Sequence, residues 1–482
     1  MNLNSAIFSN TLQEIWPLLV GMGHFISAVS ASVHIVLTKE DSKAATAWVG
    51  LVWLSPVFGV ILYFILGINR IHRKAVATRP PSHIYEQRSS LTYSSPPTPD
   101  RLPCLAHLGG QLTGRPLTAG NQVTPLQNGD EAYPQMLQAI RDAQTSVALS
   151  SYIFDNDTAG SEFLCALAEA RSKGVNIRVL VDATGARYSF PSITKPLQKL
   201  GIPSALFMPN LSLRKIGTMN LRSHRKILVT DGKTAFTGGL NIREGNLLKQ
   251  NPKHPIQDLH FRFEGPVVGH IREAFIEDWA FTTSEVLTGE VWLPTLSPCG
   301  EILARGILDG PDENFEKILF TILGAISRAK KSIRIVTPYF LPDQTTSRML
   351  SIAALSGIKV EVIIPEQNNI KFVEWATYST LGSLLSHGVH IYLSKAPFDH
   401  SKLMIVDDYW AFMGSSNWDS RSFQLNFEFN IECYSDNLVS KLSEIFKTKL
   451  DKTRQLAISD IKSRRMGQKI RDGFVRLLSP YL

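Results

Sequence analysis

The stretch His224-Arg225-Lys226-Ile227-Leu228-Val229-Thr230-Asp231 decides how the chain reads, because it recurs as His400-Ser401-Lys402-Leu403-Met404-Ile405-Val406-Asp407. In both copies Lys follows His by two positions and Asp follows Lys by five. The copies close alike, on Gly238-Gly239-Leu240-Asn241 and Gly414-Ser415-Ser416-Asn417, so that Asn follows His by seventeen in each. Average residue usage gives one accidental His-x-Lys-x4-Asp odds of about a few per cent in a chain this long. A second copy with the same glycine and asparagine offsets excludes accident.

The flanks repeat as well. Ala139-Ile140, Ala143 and Ser146-Val147 are echoed by Ala325-Ile326, Ala329 and Ser332-Ile333, and Tyr152-Ile153-Phe154 by Tyr339-Phe340-Leu341. Gly174-Val-Asn-Ile-Arg-Val-Leu-Val-Asp182 is matched by Gly357-Ile-Lys-Val-Glu-Val-Ile-Ile-Pro365. Each echo reads as a helix leading into a strand rich in Val and Ile, the pattern of a largely buried sheet. The expected fold is α/β, with two copies of one domain at 121–290 and 291–482.

Side chains two apart on a strand share a face, so His224 and Lys226 point the same way, as do His400 and Lys402. Asp231 and Asp407 fall on the opposite face and read as turn and core-stabilising residues. Two-residue hairpin loops at Gly232-Lys233 and Asp408-Tyr409 would set Asn241 opposite His224 and Asn417 opposite His400, about 5 Å apart at Cβ. Each half then offers one His, one Lys and one Asn. Two such surfaces facing each other suit a phosphodiester: lysines and amides bind the non-bridging oxygens, one imidazole attacks phosphorus and the other protonates the leaving alcohol. A histidine so used needs an acceptor on its other ring nitrogen. Asp258 and Glu428, which follow the hairpins, are the candidates. No His, Cys and carboxylate cluster has the spacing of a zinc site.

At 482 residues the chain has length for two or more domains. Its formal charge of +8 and pI near 9.2 point to an anionic partner. Cys104, Cys165, Cys299 and Cys433 lie far apart and read as small buried thiols of a reduced compartment. Apolar residues concentrate at the start: runs over about 15–37 and 44–68 are each long enough to span a bilayer, giving a two-helix hairpin within 1–74. No Lys or Arg precedes the first run, which argues against a cleaved signal peptide. Arg70, His72, Arg73, Lys74 and Arg79 follow the second, so the positive-inside rule puts both termini and the polar body in the cytoplasm. His24, Ser27, Ala28, Ala31 and His34 form a small and polar stripe suited to helix packing. Residues 75–120, rich in Pro and Ser, read as a linker. Arg214 and Lys215, and the C-terminal Lys462, Arg464, Arg465, Lys469, Arg471 and Arg476 interleaved with apolar residues, suit contact with a membrane surface.

The paired motif resembles the duplicated signature of the phospholipase D superfamily. Over nearly its full length the chain is similar to bacterial cardiolipin synthases, through Leu54 to Gly59, Tyr152 to Phe154, Arg222 to Lys226, Gly238 to Ile242, Asp258 to Pro266, Asp278-Trp279, Thr337 to Pro342, Arg421 to Glu428 and Arg476 to Pro480. The resemblance implies two phospholipase D-type α/β sandwich domains with the active site between them, in a multi-pass protein of the bacterial inner membrane. It implies a transphosphatidylation without metal or cofactor, in which two phosphatidylglycerols give cardiolipin and glycerol. It further implies His224 as nucleophile through a phosphatidyl-histidine, and His400 as acid and then base. Lys226, Lys402, Asn241 and Asn417 would hold the phosphate, and Asp258 and Glu428 would support the histidines. One departure bears on the second substrate: Arg243-Glu244-Gly245-Asn246 stand where the family usually has an acidic pair and a tyrosine. Ser223 and Ser401 also replace more typical residues. A hydrolase, or a transferase using phosphatidylethanolamine, is the alternative. Nucleic acid is disfavoured by the apolar spans and the lack of an aromatic-basic strip, and a non-enzymatic scaffold by six intact His, Lys and Asn positions.

Overall fold

The computed structural model describes residues 3–39, 42–67, 97–209 and 221–479. The basic cluster from Arg70 to Arg79, the first part of the Pro- and Ser-rich segment, and Arg214 and Lys215 lie outside the described residues. The chain divides into two compact units, one within Met1–Lys74 and one in Ala75–Pro209 and Asn220–Leu482.

In the first unit one helix, Leu3–Thr38, contains a stretch, Ile15–Thr38, long and apolar enough to cross a membrane. The second apolar run, expected as one span, is interrupted: the helix Ser42–Leu54 stops and Pro56–Leu62 begins another, ending in a π turn at Tyr63–Gly67. Proline lacks an N–H and disfavours the helical region for the residue before it. Ser55 accordingly sits at φ −141°, ψ 74°. Ala28, Ala31 and Ile35 of the long helix pack with Val52 and Tyr63, and His34 Nδ1 lies 2.7 Å from the Tyr63 hydroxyl. The small-residue stripe thus packs helix on helix.

In the second unit the two halves form one sheet with the same order of seven strands on either side of a central seam, and Thr453–Gln455 adds an edge strand to the second half. From the seam outward the first half runs Thr118–Gln127, Leu259–Glu264, Thr234–Gly238, Ile227–Thr230, Ser146–Ser151, Asn176–Asp182 and Ser204–Phe207. The second runs Ile302–Asp309, Asn426–Tyr434, Trp410–Gly414, Leu403–Val406, Ser332–Val336, Lys359–Pro365 and His390–Ser394. The seam is the antiparallel pairing of Thr118 with Ala304 and Asn121 with Ile302. Continuous apolar runs make the inner strands, since both faces are buried: Val179, Leu180 and Val181, and Val360, Val362 and Ile363, are all in the core.

One apolar cluster draws on both halves, uniting Phe261, Phe275 and Trp279 with Phe427, Phe429 and Phe446. Two further clusters lie under the outer helices of each half. The expected linker is ordered at its C-terminal end: Pro103–Thr113 is a helix and Thr118 opens the seam strand. Pro103 fits the first helical turn, and Leu105 anchors the helix in the second half's core. Burial of the thiols holds for Cys433 alone; Cys104, Cys165 and Cys299 are exposed, on a helix start, an outward helix face and a loop.

Candidate active site

Two short parallel pairings between the halves position the histidines. Arg222–Ser223 runs beside Asn426–Phe427, and Phe398–Asp399 beside Ile256–Gln257. His224 N–H then donates to the Phe427 carbonyl at 2.9 Å, and His400 N–H to that of Gln257 at 2.7 Å. Each histidine is thereby carried next to a carboxylate of the opposite half. His224 Nδ1 lies 3.1 Å from Glu428 Oε1 and 3.0 Å from the Ser415 carbonyl. His400 Nδ1 lies 2.8 Å from Asp258 Oδ2, with Lys402 Nζ 3.0 Å away. The two imidazoles face each other, ring centroids 6.4 Å apart.

The expected two-residue hairpins do not form. Thr230 pairs with Thr234 and Val406 with Trp410, leaving three-residue loops and moving the register by one. The cause is the motif aspartate. Asp231 (φ 50°) and Asp407 (φ 52°) take the left-handed conformation, which Asp tolerates better than most residues. Asp231 carboxylate accepts the backbone N–H groups of Gln144, Thr145 and Ser146; Asp407 does the same for Lys330, Lys331 and Ser332. Asn241 is therefore not a ladder partner of His224. It lies beyond the strand end at Gly238, where its Oδ1 accepts from Ile153 N–H at 3.1 Å. Asn417 likewise follows Gly414, and its Nδ2 lies 3.3 Å from Ser422 Oγ.

His224, His400, Asn241, Asn417 and Asp258 line one cavity of about 530 Å³. The lysines lie beneath it: Lys226 and Lys402 amines reach the carbonyls of their own histidines at 2.6 and 2.5 Å. Burial lowers Lys226 to about 7 and Lys402 to about 8. Both histidines are also pushed below their ordinary value by burial. The carboxylates differ. Burial raises Asp258 to about 7. Burial acts on Glu428 in the same direction, but His224, Lys226 and Ser415 outweigh it and hold the carboxyl below its usual range. Ser415 Oγ donates to Glu428 at 2.5 Å and Asn426 Nδ2 at 3.1 Å. In the first half the position of Ser415 is Gly239, where an added Cβ would stand 2.0 Å from Asp258 Oδ1.

Sequence reasoning missed several residues of the cavity wall. Tyr152 meets His224 edge-on at 5.1 Å and Tyr339 meets His400 at 6.3 Å; both belong to echoed segments, which was the available signal. Arg222 and Arg421 also line the cavity, as does Arg243, which the sequence marks as a departure and which pairs with Asp155 at 3.1 Å.

A duplicated α/β sheet that faces two histidine–carboxylate couples across one cavity defines the phospholipase D-like class. A family model described as "Cardiolipin synthase, PLD-like domain" matches residues 136–279 and 322–450, together more than half of the chain. A second, "Phospholipase_D-nuclease N-terminal", matches 26–67. The chain is 32% identical to the major cardiolipin synthase ClsA of Bacillus subtilis over 484 residues, covering 97% of this chain and 100% of that protein. It is 32% identical to cardiolipin synthase 1 of Bacillus anthracis (96% and 94%) and 31% identical to a cardiolipin synthase of Staphylococcus aureus (96% and 96%). Among solved structures, phosphatidylserine synthase of Haemophilus influenzae superposes with a TM-score of 0.64 at 16% identity, covering 79% of this chain and all of the other, a likeness of fold. The chain belongs to the cardiolipin synthase family.

Proposed function

We propose that the protein is a membrane-associated phosphatidyltransferase that moves a phosphatidyl group from one phosphatidylglycerol to a hydroxyl of a second, giving cardiolipin and glycerol. The observation that carries this reading is the pair of crossed histidine–carboxylate couples in one cavity, in a chain of this family.

The couples are unequal, and the inequality supports a division of labour. His224 Nδ1 meets two acceptors, the Glu428 carboxylate and the Ser415 carbonyl. That fixes the proton on Nδ1 and leaves Nε2 with a bare lone pair, the form of a nucleophile. The His400–Asp258 couple, whose carboxyl is raised to about 7, keeps one extra dissociable proton near neutral pH. A couple so charged is an acid. In the first step His224 Nε2 bonds to phosphorus, the phosphorus–oxygen bond to glycerol breaks, and the proton of the His400 couple goes to the departing oxygen. In the second, the His400 couple takes the proton of the incoming hydroxyl as its oxygen bonds to phosphorus and the phosphorus–nitrogen bond breaks. Asn241 and Asn417 hold the phosphate from the cavity wall, and Lys226 and Lys402 from below. An anionic phosphate restores the full charge of amines depressed to about 7 and 8.

The two halves act as two phospholipase D-like domains, 121–290 and 291–482. The second apolar run joins Ile15–Thr38 in the bilayer as a hairpin, with the catalytic unit on the cytoplasmic side, a reading supported by the basic residues from Arg70 to Arg79. Arg243 and Asn246, in the stretch where the chain departs from the pattern it resembles, line the cavity and bear on how the second substrate is recognised. Reconstitution with labelled phosphatidylglycerol, followed by mass spectrometry, decides. Equimolar cardiolipin and glycerol support the synthase; phosphatidic acid without cardiolipin overturns it in favour of hydrolysis.

A further inference from the structure

The C-terminal helix Met466–Arg476 turns its apolar side outward. Met466, Ile470 and Phe474 recur every four residues, with Leu477 next, and are 70%, 52%, 68% and 69% exposed. A surface helix of a globular body buries such a stripe. Here the inward side carries the polar fastening instead. Asp472 is buried between Arg464 and Arg471, at 2.6 and 2.8 Å, and those guanidinium groups lie over the rings of Tyr378 and Trp375 on the helix Lys371–Ser386. Val475, the apolar side chain of this helix that is buried, joins Val373, Ala376 and Leu341, with Tyr339 and Trp375 against them.

That fastening ties the outward stripe to the active site. Tyr339 and Val373 line the catalytic cavity, and so does Ile370, which is itself exposed at the cavity rim beside exposed Phe372. The charge around the stripe has one sign. From Lys462 to Arg476 there are six basic residues and a single acid, Asp472, already paired inward. Lys462, Arg465, Lys469 and Arg476 remain exposed around the apolar stripe.

We propose that this helix, with Ile370 and Phe372, docks on the surface of an anionic lipid bilayer and holds the cavity mouth against it, independently of the membrane-spanning helix. The occupant is a bilayer because an apolar stripe framed by basic residues is complementary to acyl chains beneath anionic head groups. A patch this apolar beside a cavity calls for a covering surface. The inference rests on the lipid reading of the site, and it adds the route: substrate enters from the leaflet, past Ile370, without crossing water.

The test uses the full chain in vesicles, with a nitroxide on Ile470→Cys and Ser at Cys104, Cys165 and Cys299. In vesicles of equal parts phosphatidylglycerol and phosphatidylcholine the nitroxide is shielded from a water-soluble nickel relaxant and reached by oxygen; in pure phosphatidylcholine the shielding falls. Nickel access that does not differ between the two vesicles overturns the proposal, as does shielding that follows protein density, which would assign the face to a second copy. The pair Ile470→Glu and Phe474→Glu should lower turnover of vesicle phosphatidylglycerol about tenfold or more, while leaving turnover of a short-chain, water-soluble phosphatidylglycerol unchanged. Equal turnover of both by the variant overturns it. Should the unaltered protein turn over neither substrate, the reading of function fails, and the nickel measurement still decides the docking.

Discussion

At the scale of single residues one of the two differences between the matching loops bears on the carboxylates. Ser415 donates to Glu428, whereas its counterpart Gly239 has no side chain and no room for one beside Asp258. His224 and Lys226, with Ser415 adding to them, hold the Glu428 carboxyl below its usual range, while burial raises Asp258 to about 7. Replacing Ser415 by Ala removes a donor from Glu428 and raises its pKa, so the acid limb of the pH–rate profile should move upward. On the proposed mechanism the alkaline limb belongs to the His400–Asp258 couple. Glycerol expulsion needs its extra proton, so kcat/KM for phosphatidylglycerol should fall as pH rises through about 7. A donor with nitrophenol as leaving group needs no such proton and should show no alkaline limb in adduct formation.

At the scale of elements the two hairpins are set by the motif aspartates, each of which gathers three backbone N–H groups from a neighbouring loop. Asp231→Ala leaves those donors without their acceptor and should cost about 1–3 kcal/mol in denaturant unfolding near pH 7. Burial alone would raise the Asp231 carboxyl, but the N–H groups of Thr145, Gln144 and Ser146 overcome it, and the net shift is downward. A depressed pKa stabilises the fold above the unfolded value and is lost as pH falls through the folded one. The gap between variant and parent should therefore close in acid, below the ordinary carboxylate range. The aspartates were legible as structural residues from strand parity. The loop length was not, because it depends on N–H groups at 144–146 and 330–332, far from the hairpins in sequence. The helix Pro103–Thr113 was hidden for a similar reason: Pro and Ser around it read as linker, and its anchor is a core built from the second half.

At the scale of the whole molecule each half lends a carboxylate to the histidine of the other. Two parallel pairings place each histidine beside the other half's carboxylate, and Arg225, held within its own half by a buried pair with Asp278 at 2.7 Å, reinforces the junction by donating to the Glu428 and Asp309 carbonyls. The repeat made the α/β class and the doubled site legible, since rare residue types at fixed offsets survive in one dimension. The crossing was not legible, because contacts between Arg222–Ser223 and Asn426–Phe427 belong to the fold of the whole unit. It has a consequence for variants: damage should appear in the opposite half. Glu428→Gln should slow adduct formation on His224 by about a hundredfold or more. Asp258→Asn should spare adduct formation from the nitrophenol donor and slow glycerol release by a similar factor. The central claim is that His224 attacks phosphorus while His400 moves the proton. The most direct measurement is peptide mass spectrometry after brief reaction with a labelled phosphatidyl nitrophenol donor. The account predicts a phosphatidyl group on His224 in the His400→Ala variant and none in His224→Ala; a phosphatidyl group on His400 in the latter would contradict it.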